Sequence, residues 1–397
     1  MTAERRAGAQ LRIGVITTSY PRTPDDPAGG FVGGHVHALR ALGHEVDVIA
    51  AGDRRDAASD DVPAAPHGPH APLLARVPGS LFYRGGAPDL LDRSPIRTAP
   101  AAAAFTLRLA AAAAAAARTR AWDAIIAHWL APSALVALPL RRPLVAIAHG
   151  GDVHTLRRLG LLAPALHALR LRGARLVFVS EHLRAVARDA APRLARWLDD
   201  DALVQPMGLD LARFDAIALA RARTPRPPPS ARTPPTILVA ARLVPLKGVD
   251  VALAAFARLR TPARLAIAGD GPERAALLAL APAGAALLGE VDTRRRDELL
   301  REASVVVVPS RITAHGRTEG TPSIALEALA AGVPVVASAV GGLRELAAAR
   351  LVPPGDPSAL AREIDRILAE PPPPLALRQS VAHLAWPAVA DRLLRKK

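Results

Sequence analysis

The sequence predicts an α/β protein made of two Rossmann-like, doubly wound domains that face each other across a cleft. Short apolar runs alternate with longer amphipathic segments along the 397 residues, a pattern typical of βα units and parallel sheets. The two halves also begin alike, each with an apolar strand, a glycine-containing loop and an amphipathic helix. Between them, residues 221–235 are rich in Pro and Arg and lack periodicity, which indicates a linker.

These patterns set the expected boundaries of the domains. Residues 1–220 form an N-terminal domain and residues 236–375 a C-terminal domain, while residues 376–397 form a helical segment that we expect to pack back on the N-terminal domain. The predicted strands are Leu11–Thr17, Glu45–Ala50, Asp123–Ala127, Leu144–Ala148, Arg175–Val179, Leu203–Gln205, Ile237–Ala241, Arg264–Ala268, Ala286–Leu288, Val305–Val308 and Pro334–Ala337. The predicted opening helices are Phe31–Leu42 and Val249–Leu259.

Composition excludes several classes of protein. The chain has no cysteine, which rules out thiol catalysis, disulfides and thiolate metal sites. The formal net charge of +15 would attract polyanions, but the 51 Lys and Arg are scattered without a basic, aromatic stripe, which argues against nucleic acid. The run Ala110–Ala117 has arginines close to both ends, and we expect neither a signal peptide nor a membrane-spanning helix. A reducing cytoplasm is the expected compartment.

The first candidate site surrounds a predicted short helix. Thr321 suits its N-cap, Pro322 its first position and Gly332 the C′ position after its end. Glu319 then lies in the loop before the helix, and Glu327 projects from its second turn. A helix N-terminus attracts anions, and two carboxylates suit the hydroxyls of a sugar or a ribose. The alternative is a capped helix with two solvated acids.

A second candidate site follows an apolar strand. Arg242 lies at the strand's carboxyl end and Lys247-Gly248 lies just before the next helix. Two fixed cations in a strand-to-helix loop can neutralise the charge that develops on a departing diphosphate. The alternative is a pair of solvated surface cations.

Taken in order, these motifs resemble the donor-binding domain of family-4 retaining glycosyltransferases of the GT-B fold, in particular bacterial members that build exopolysaccharides and lipid-linked glycans. The matching residues in the second half are Arg242, Lys247-Gly248, Gly269-Asp270-Gly271-Pro272, Pro309-Ser310, Glu319 and Glu327. The matching residues in the first half are Gly29-Gly30, Asp123–Trp129, His149-Gly150-Gly151-Asp152, Val179-Ser180-Glu181, Met207–Asp210 and Phe214, with a weaker match at Gly85–Pro88. The resemblance covers about residues 13–368.

The resemblance implies that the N-terminal domain serves the acceptor and the C-terminal domain binds a nucleotide-sugar donor. It implies donor-binding roles for Gly30, Arg242, Lys247, Gly320, Thr321, Pro322 and Glu327. It also implies that Arg242 and Lys247 hold the diphosphate, Glu327 binds the ribose, Glu319 contacts the transferred sugar and His149 lies at the reaction centre. The sugar then passes to a glycan or lipid-linked acceptor with retention of configuration and without a metal or other cofactor.

Several alternatives stay open at this point. A nucleotide-sugar 2-epimerase is the nearest other enzyme, and a catalytically silent sugar- or lipid-binding homologue is the main alternative that is not an enzyme. A dehydrogenase is disfavoured because no G-x-G-x-x-G follows either opening strand. Residues 311–318 depart from the family pattern, which leaves the donor base and sugar open. The acidic run Asp199–Asp201 is expected to be a solvated helix end, and His67 and His70 are expected to be loop residues.

The positive charge and the basic C-terminus, Arg395-Lys396-Lys397, suggest an anionic membrane surface as a further partner. On this hypothesis the enzyme works at the inner face of a bacterial membrane without spanning it. Arginine-rich composition without such a function is the competing interpretation.

Overall fold

The computed structural model describes residues 10–23, 25–52, 72–83, 87–224 and 234–395. The chain divides into two compact units. The first contains the described residues up to Val179, together with Arg184–Gly208 and the C-terminal stretch from Trp386, and the second contains Ser180–Leu183 and Leu209–Ala385.

Thirteen strands lie in the described ranges. They are β1 (Arg12–Thr17), β2 (Glu45–Gly52), β3 (Leu74–Pro78), β4 (Ala124–His128), β5 (Leu144–Ala148), β6 (Arg175–Phe178), β7 (Leu203–Val204), β8 (Thr236–Ala240), β9 (Arg264–Ala268), β10 (Ala285–Gly289), β11 (Ala303–Val308), β12 (Val335–Ser338) and β13 (Arg350–Val352).

The helices in the same ranges are α1 (Gly30–Ala41), α2 (Ser80–Tyr83), α3 (Ala87–Arg93), α4 (Pro95–Thr119), α5 (Leu135–Ala137), α6 (Gly151–Arg158), α7 (Leu162–Leu171), α8 (Glu181–Ala190), α9 (Ala195–Asp200), α10 (Leu211–Arg223), α11 (Val249–Phe256), α12 (Arg274–Leu280), α13 (Thr293–Glu302), α14 (Ser323–Ala330), α15 (Pro357–Ala369), α16 (Pro374–Ser380) and α17 (Trp386–Leu394). Single 3₁₀ turns occur at Pro192–Leu194, Pro245–Lys247, Gly341–Glu345 and Ala382–Leu384, and a π turn at Leu130–Ala134.

Each unit contains one parallel sheet. The strand order is β3-β2-β1-β4-β5-β6-β7 in the first unit and β10-β9-β8-β11-β12-β13 in the second. In both sheets the chain first builds outward from the opening strand and then reverses to the other side. The reversal falls between β1 and β4 in the first sheet and between β8 and β11 in the second, and the loops beyond the carboxyl ends of such strands are where doubly wound proteins bind ligands.

The second sheet is covered on both faces, as its strand sequences require. Leu238 and Val306 pack into one apolar cluster, and their neighbours Ile237 and Val305 pack into another. Because alternate residues of a strand point to opposite faces, the near-continuous apolar runs of β8 and β11 supply both cores. The predicted fold class, two parallel-sheet α/β domains, is therefore confirmed.

The sequence predicts the central strands better than the edges. Every predicted strand is present with its ends shifted by two residues at most. The prediction missed β3 and β13, which are edge strands with exposed side chains at Leu74 and Leu351. An edge strand that is solvated on one side lacks the continuous apolar run that marks a buried strand.

The units also divide the chain differently from the predicted boundaries. Helix α10 belongs to the second unit, where Phe214 and Ile217 join its core, although the predicted N-terminal domain extended to residue 220. Helix α17 belongs to the first unit. Most of the predicted linker, residues 225–233, lies outside the described residues.

Helix α4 is long and mostly alanine. Its buried residues, Phe105, Leu109, Ala113 and Ala116, recur every three to four positions and so form one stripe. Among the described helices, its segment Arg97–Thr119 alone is long and apolar enough to cross a membrane, a criterion of length and composition that the core helix of a soluble domain also meets. This criterion does not test whether the segment spans a membrane, so the expectation that it does not stays a prediction.

Asp47 ties several parts of the first unit together. Its carboxylate accepts hydrogen bonds from Arg120 Nε and Nη2 at 3.1 and 3.0 Å, from Trp122 Nε1 at 2.8 Å and from the backbone N–H of Leu73 at 2.7 Å. Burial by itself would raise the pKa of Asp47, but these hydrogen bonds outweigh it and hold the pKa below its ordinary value. The ion pair with Arg120 joins β2 to the end of α4, and the hydrogen bond from Leu73 N joins β2 to the start of β3.

We predict that Asp47→Ala destabilises the protein by about 3 to 5 kcal/mol, because the Arg120 guanidinium and the Trp122 N–H would stay buried without their acceptor. Glu45→Ala is a matched control on the same strand, because its pair with Arg12 is more exposed, and it should cost about 1 kcal/mol or less. Urea denaturation of the two variants checks this, and equal losses of stability would contradict the assigned role of Asp47.

Candidate functional site

The predicted cations and carboxylates of the second unit lie at the reversal point of its sheet. Arg242 and Lys247 follow β8, whereas Ser310 and Glu319 follow β11, and these two strands are hydrogen-bonded neighbours. The carboxyl ends of neighbouring parallel strands lie at one edge of the sheet, so the two loops meet there. The backbone N–H of Arg311 donates to Leu246 O at 2.8 Å and fixes this approach.

Lys247 and Glu319 are in direct contact. Lys247 Nζ donates to Glu319 Oε1 at 2.6 Å, and Ser310 Oγ donates to the same oxygen at 2.9 Å. The Glu319 side chain is 8% exposed and the Lys247 side chain 23% exposed, so the ammonium reaches solvent and the carboxylate does not. The structure thus brings together two residues that the sequence places 72 positions apart.

Two glycines allow the backbones to approach closely at this site. Gly248 has φ +60°, and a Cβ there would lie 2.1 Å from Pro309 O. Gly341 has φ +51°, and a Cβ there would lie 2.1 Å from the carbonyl oxygen of Glu319. Both positions therefore require glycine, for conformation as well as for space. Sequence reasoning missed Gly341, although a Gly-Gly pair soon after an apolar strand is a usable signal.

Glu327 is buried on α14 with an incompletely satisfied carboxylate. Its Oε2 lies 3.2 Å from Arg296 Nε, yet the geometry is not that of a hydrogen bond, and neither atom has a hydrogen-bond partner among the described residues. The ion pair holds the Glu327 carboxylate in place through charge. The oxygen remains able to accept a hydrogen bond from another group.

The ends of α14 differ partly from the prediction. The N-cap is Pro322, with ψ 123° and no side-chain cap, so Thr321 precedes the cap and Ser323 is the first helical residue. The prediction placed the helix one residue too early because proline at the first position is the commoner arrangement. At the other end Gly332 has φ +68°, as predicted for C′, and its N–H donates to Leu329 O.

The remaining donor-side candidates lie in the same region of the second unit. Arg242 is half-buried, Gly320 is buried and Thr321 is half-buried. The short segment Ser180–Leu183 also belongs to this unit, and His182 Nε2 lies 2.8 Å from Thr318 Oγ1, directly before Glu319. No local sequence signal pointed to His182.

The segment that departs from the family pattern forms a closed turn. Thr313 N donates to Arg317 O at 2.9 Å, and Gly316 N donates to Thr313 O at 2.8 Å. Arg311 forms an ion pair with Asp250 on α11 at 2.5 Å, which anchors the start of the turn. Residues 311–317 therefore form a turn, closed by backbone hydrogen bonds, between Ser310 and Glu319.

The first unit carries a different cluster at its own reversal point. His128 ends β4, and its Nδ1 lies 3.0 Å from His149 Nε2, while its Nε2 lies 3.1 Å from His35 Nδ1. Phe31 and Trp129 pack against the His149 ring at centroid distances of 4.9 and 4.8 Å. The predicted residue His149 is thus the outer member of a chain of three imidazoles, of which His35 was not predicted.

The loop that carries His149 is held by Asp152. This buried carboxylate accepts hydrogen bonds from the backbone N–H groups of His149 and Gly150, at 3.1 and 2.9 Å, and from Leu130 N at 2.6 Å. Burial raises the pKa of Asp152, and these hydrogen bonds oppose the rise.

Gly30, predicted to bind phosphate, begins α1 with open space at its Cβ position, so the structure shows no local need for glycine there.

Burial keeps all three imidazoles neutral. It lowers the pKa of His35 to about 3, and burial together with the nearby imidazole of His35 lowers the pKa of His149 to about 3. The pKa of His128 falls well below its ordinary value because of burial and the two neighbouring rings. At neutral pH none of the three carries a charge.

The other titratable candidates form no site in the described part of the chain. Asp199 and Asp200 pair with exposed Arg188 and Arg196 at 3.5 Å, at the end of α9. No group of three or more His, Asp or Glu in the described ranges has the arrangement of a metal site. His67, His70 and Gly85-Gly86 lie outside the described residues.

We predict that the melting temperature falls as the pH is lowered from about 6.5 to about 5. The unfolded chain protonates its histidines near pH 6.5, whereas the folded chain holds His35 and His149 neutral to about pH 3. Each such histidine contributes a slope of about 1.4 kcal/mol per pH unit. His35→Phe should reduce the slope of the unfolding free energy against pH by the contribution of one histidine. His37→Asn, at an exposed position of the same helix, should leave that slope unchanged. An unchanged slope in His35→Phe would show that His35 is not neutral in the fold.

Comparison with known proteins agrees with this geometry. Residues 234–370, which contain all the donor-side candidates of the second unit, match the family model described as glycosyl transferases group 1. This confirms the predicted resemblance at the level of that family.

Two relatives have assigned glycosyltransferase names. WcaL of Escherichia coli K12, named for colanic acid biosynthesis, is 30% identical over 261 residues, which cover 61% of this chain and 60% of the relative. The D-inositol 3-phosphate glycosyltransferase of Streptomyces bingchenggensis is 32% identical over 304 residues, which cover 66% of this chain and 63% of the relative. The alignments therefore span less than two thirds of either relative.

Two solved structures share the fold over nearly the whole chain. Sucrose-phosphate synthase from Thermosynechococcus elongatus superposes with a TM-score of 0.69 and 23% identity, covering 97% of both chains. HepE from Anabaena in complex with UDP-glucose superposes with a TM-score of 0.65 and 16% identity, covering 97% of this chain and 98% of the other. Residues 234–370 therefore match the glycosyl transferases group 1 family, and the chain that carries them has the GT-B fold.

Proposed function

We propose that this protein transfers a sugar from a nucleoside-diphosphate sugar to a glycan or lipid-linked acceptor, with retention of anomeric configuration and without a metal. The observation that carries the proposal is the contact of Glu319 with Lys247 and Ser310 at the reversal point of a sheet whose residues match the glycosyl transferases group 1 model. A fixed cation next to a buried carboxylate suits a ligand with both phosphates and sugar hydroxyls.

Lys247 can bind the diphosphate while it keeps its hydrogen bond to Glu319. An ammonium has three N–H donors, and Glu319 Oε1 takes one of them. The partial exposure of Lys247 leaves the others accessible to phosphate oxygens. With Arg242 after the same strand, Lys247 then stabilises the negative charge that develops as the C1–O bond to the diphosphate breaks.

The two carboxylates have separate roles in this proposal. Glu327 accepts hydrogen bonds from the hydroxyls of the donor ribose. Glu319 orients the transferred sugar, and its rigid support by Lys247 and Ser310 serves positioning. Gly320, Thr321 and Pro322 supply the backbone before α14 that approaches the donor.

His149 of the first unit acts as a neutral hydrogen-bonding group at the reaction centre. Its lowered pKa means that it contributes no charge at neutral pH. The acceptor oxygen forms its bond to C1 on the face that the diphosphate leaves, and its proton passes to the departing phosphate oxygen. Since no carboxylate is assigned as a covalent nucleophile, positioning and charge stabilisation carry the catalysis. The anomeric configuration of the product, measured by NMR, tests retention.

We predict that Lys247→Ala weakens nucleoside-diphosphate binding by about 1.5 to 3 kcal/mol, the loss expected for a hydrogen bond to a charged group. Glu319→Gln should lower turnover more than donor affinity, because Glu319 acts on the transferred sugar. Calorimetric titration with UDP, GDP and ADP and steady-state assays of accepted donors measure the two effects. Arg258→Ala, at an exposed cation just after the end of α11, is the matched control and should change neither.

Two outcomes would count against the proposal. Unchanged affinity for all three diphosphates in Lys247→Ala would remove the donor assignment, provided that thermal melting shows a folded variant. Donor binding without transfer or donor hydrolysis would instead favour a catalytically silent homologue, and conversion of the donor into its 2-epimer would favour an epimerase.

We also propose that the protein works at the inner face of the cytoplasmic membrane, bound to anionic lipid. The net charge of +15 favours such a surface. On α4, Leu107 is 72% exposed next to exposed Arg108, and Arg97 and Arg118 are exposed nearer the two ends of the helix. Cations around an exposed apolar side chain suit a lipid interface.

Vesicle co-sedimentation tests this partner. We predict that the protein pellets with vesicles that contain anionic lipid, that binding falls as salt rises, and that Leu107→Ser with Arg108→Glu weakens it. Equal recovery in the supernatant with anionic and zwitterionic vesicles at low salt would exclude membrane binding and leave the glycosyltransferase proposal unaffected.

A further inference from the structure

The three imidazoles of the first unit are linked so that the tautomer of one fixes the tautomers of the others. Each hydrogen bond of the chain joins two ring nitrogens, and it needs a proton on one of them and a lone pair on the other. His128 uses both of its nitrogens, Nε2 toward His35 and Nδ1 toward His149. With one proton on each neutral ring, only two arrangements satisfy both bonds: all three rings protonated at Nδ1, or all three at Nε2.

The geometry argues against a metal as the reason for the cluster. Ligands of one zinc ion direct their nitrogens to a common point about 2.0 to 2.1 Å from each. In this chain His128 turns opposite ring nitrogens toward His35 and toward His149, so the three nitrogens do not converge. The cluster is a linear relay of hydrogen bonds.

The inner end of the chain distinguishes the two arrangements. His35 is fully buried, its ring stacks on Trp386 with an interplanar angle of 7°, and its Nε2 has no hydrogen-bond partner among the described residues. Protonation of all rings at Nε2 would bury an N–H group without an acceptor. Protonation of all three rings at Nδ1 leaves a lone pair on His35 Nε2 instead. Buried acceptors without a donor are less rare in proteins than buried N–H groups without an acceptor.

We propose that His35 and His128 are positioning residues that hold His149 as the neutral Nδ1–H tautomer. His149 Nε2 is then occupied by the N–H of His128, and Nδ1–H is the group that His149 offers to a ligand. His149 therefore donates a hydrogen bond to an oxygen of the substrate, such as a sugar hydroxyl or a phosphate oxygen, and does not act as a general base. The identity of that substrate rests on the proposed function, whereas the tautomer does not.

The test is long-range ¹H–¹⁵N NMR of the full chain labelled at histidine, recorded without substrate. The His149 resonances are assigned by their loss in His149→Asn. We expect protonated Nδ1 and unprotonated Nε2 in all three rings of the wild-type protein. A proton on His149 Nε2, or a cationic ring at neutral pH, would overturn the proposal. This spectrum requires no variant of His35 or His128.

Variants of His35 test the coupling. In His35→Phe, His128 loses its inner partner, so we expect the His149 nitrogens to shift toward values of mixed tautomers. In His35→Asn, the amide can donate in place of Nδ1, and the wild-type spectrum of His149 should be retained. His37→Asn on the same helix is the matched control. An unchanged His149 spectrum in His35→Phe would overturn the role of His35.

Activity measurements separate this proposal from the proposed function. If no nucleotide sugar is turned over but the spectra are as expected, the positioning role stands and the glycosyltransferase proposal fails. If transfer is found while His149 carries its proton on Nε2, the function stands and the positioning role fails.

Discussion

The ion pair between Lys247 and Glu319 is the interaction on which the donor side of the second unit depends. It joins the loop after β8 to the loop after β11, and Ser310 completes the set of donors to the same carboxylate oxygen. Glu319 is almost fully buried, and a buried carboxylate is tolerated only where charge and hydrogen bonds compensate for lost hydration. The loops therefore keep this geometry before any ligand arrives, which is the preorganisation that charge-stabilising sites require.

The two units place different chemistry at equivalent positions of similar sheets. Beyond the reversal point of the second sheet lie charged groups suited to phosphates. Beyond that of the first lie neutral imidazoles, aromatic rings and Asp152, which supports the loop of His149. Burial explains the contrast, because an imidazole can shed its charge at neutral pH whereas lysine beside a carboxylate retains it. The two sheets thus carry charged groups at one reversal point and neutral groups at the other.

Which features of the fold and of the site could be predicted from the sequence depends on how far apart along the chain the residues that form them lie. Apolar runs and glycine loops are local, so the central strands and the motif residues Lys247, Glu319 and His149 were predictable. The edge strands β3 and β13 were not, because half-solvated strands carry a weak pattern. The positions of His35 and His182 depend on contacts across 93 and 136 residues, which no local spacing reveals.

Helix α17 belongs to the first unit, on which residues 376–397 were expected to pack, but the contacts that it makes there were not predictable. Trp386 stacks on His35, and a Cβ at Gly34 would lie 2.4 Å from Trp386 Nε1, so the aromatic ring occupies the space that Gly34 leaves open. A tryptophan late in the chain carries no sign of this partner in its own neighbourhood. The sequence predicted a separate helical segment over residues 376–397 but not the details of its packing.

Hydrogen exchange measured by mass spectrometry with and without nucleoside diphosphates tests the central claim most directly, because protection reports where a ligand binds. We expect at least one of UDP, GDP and ADP to protect the backbone of residues 241–248, 309–311 and 318–323, and we expect Lys247→Ala to abolish this protection. Protection confined to the loops of the first sheet, or none with any of the three nucleotides, would contradict it.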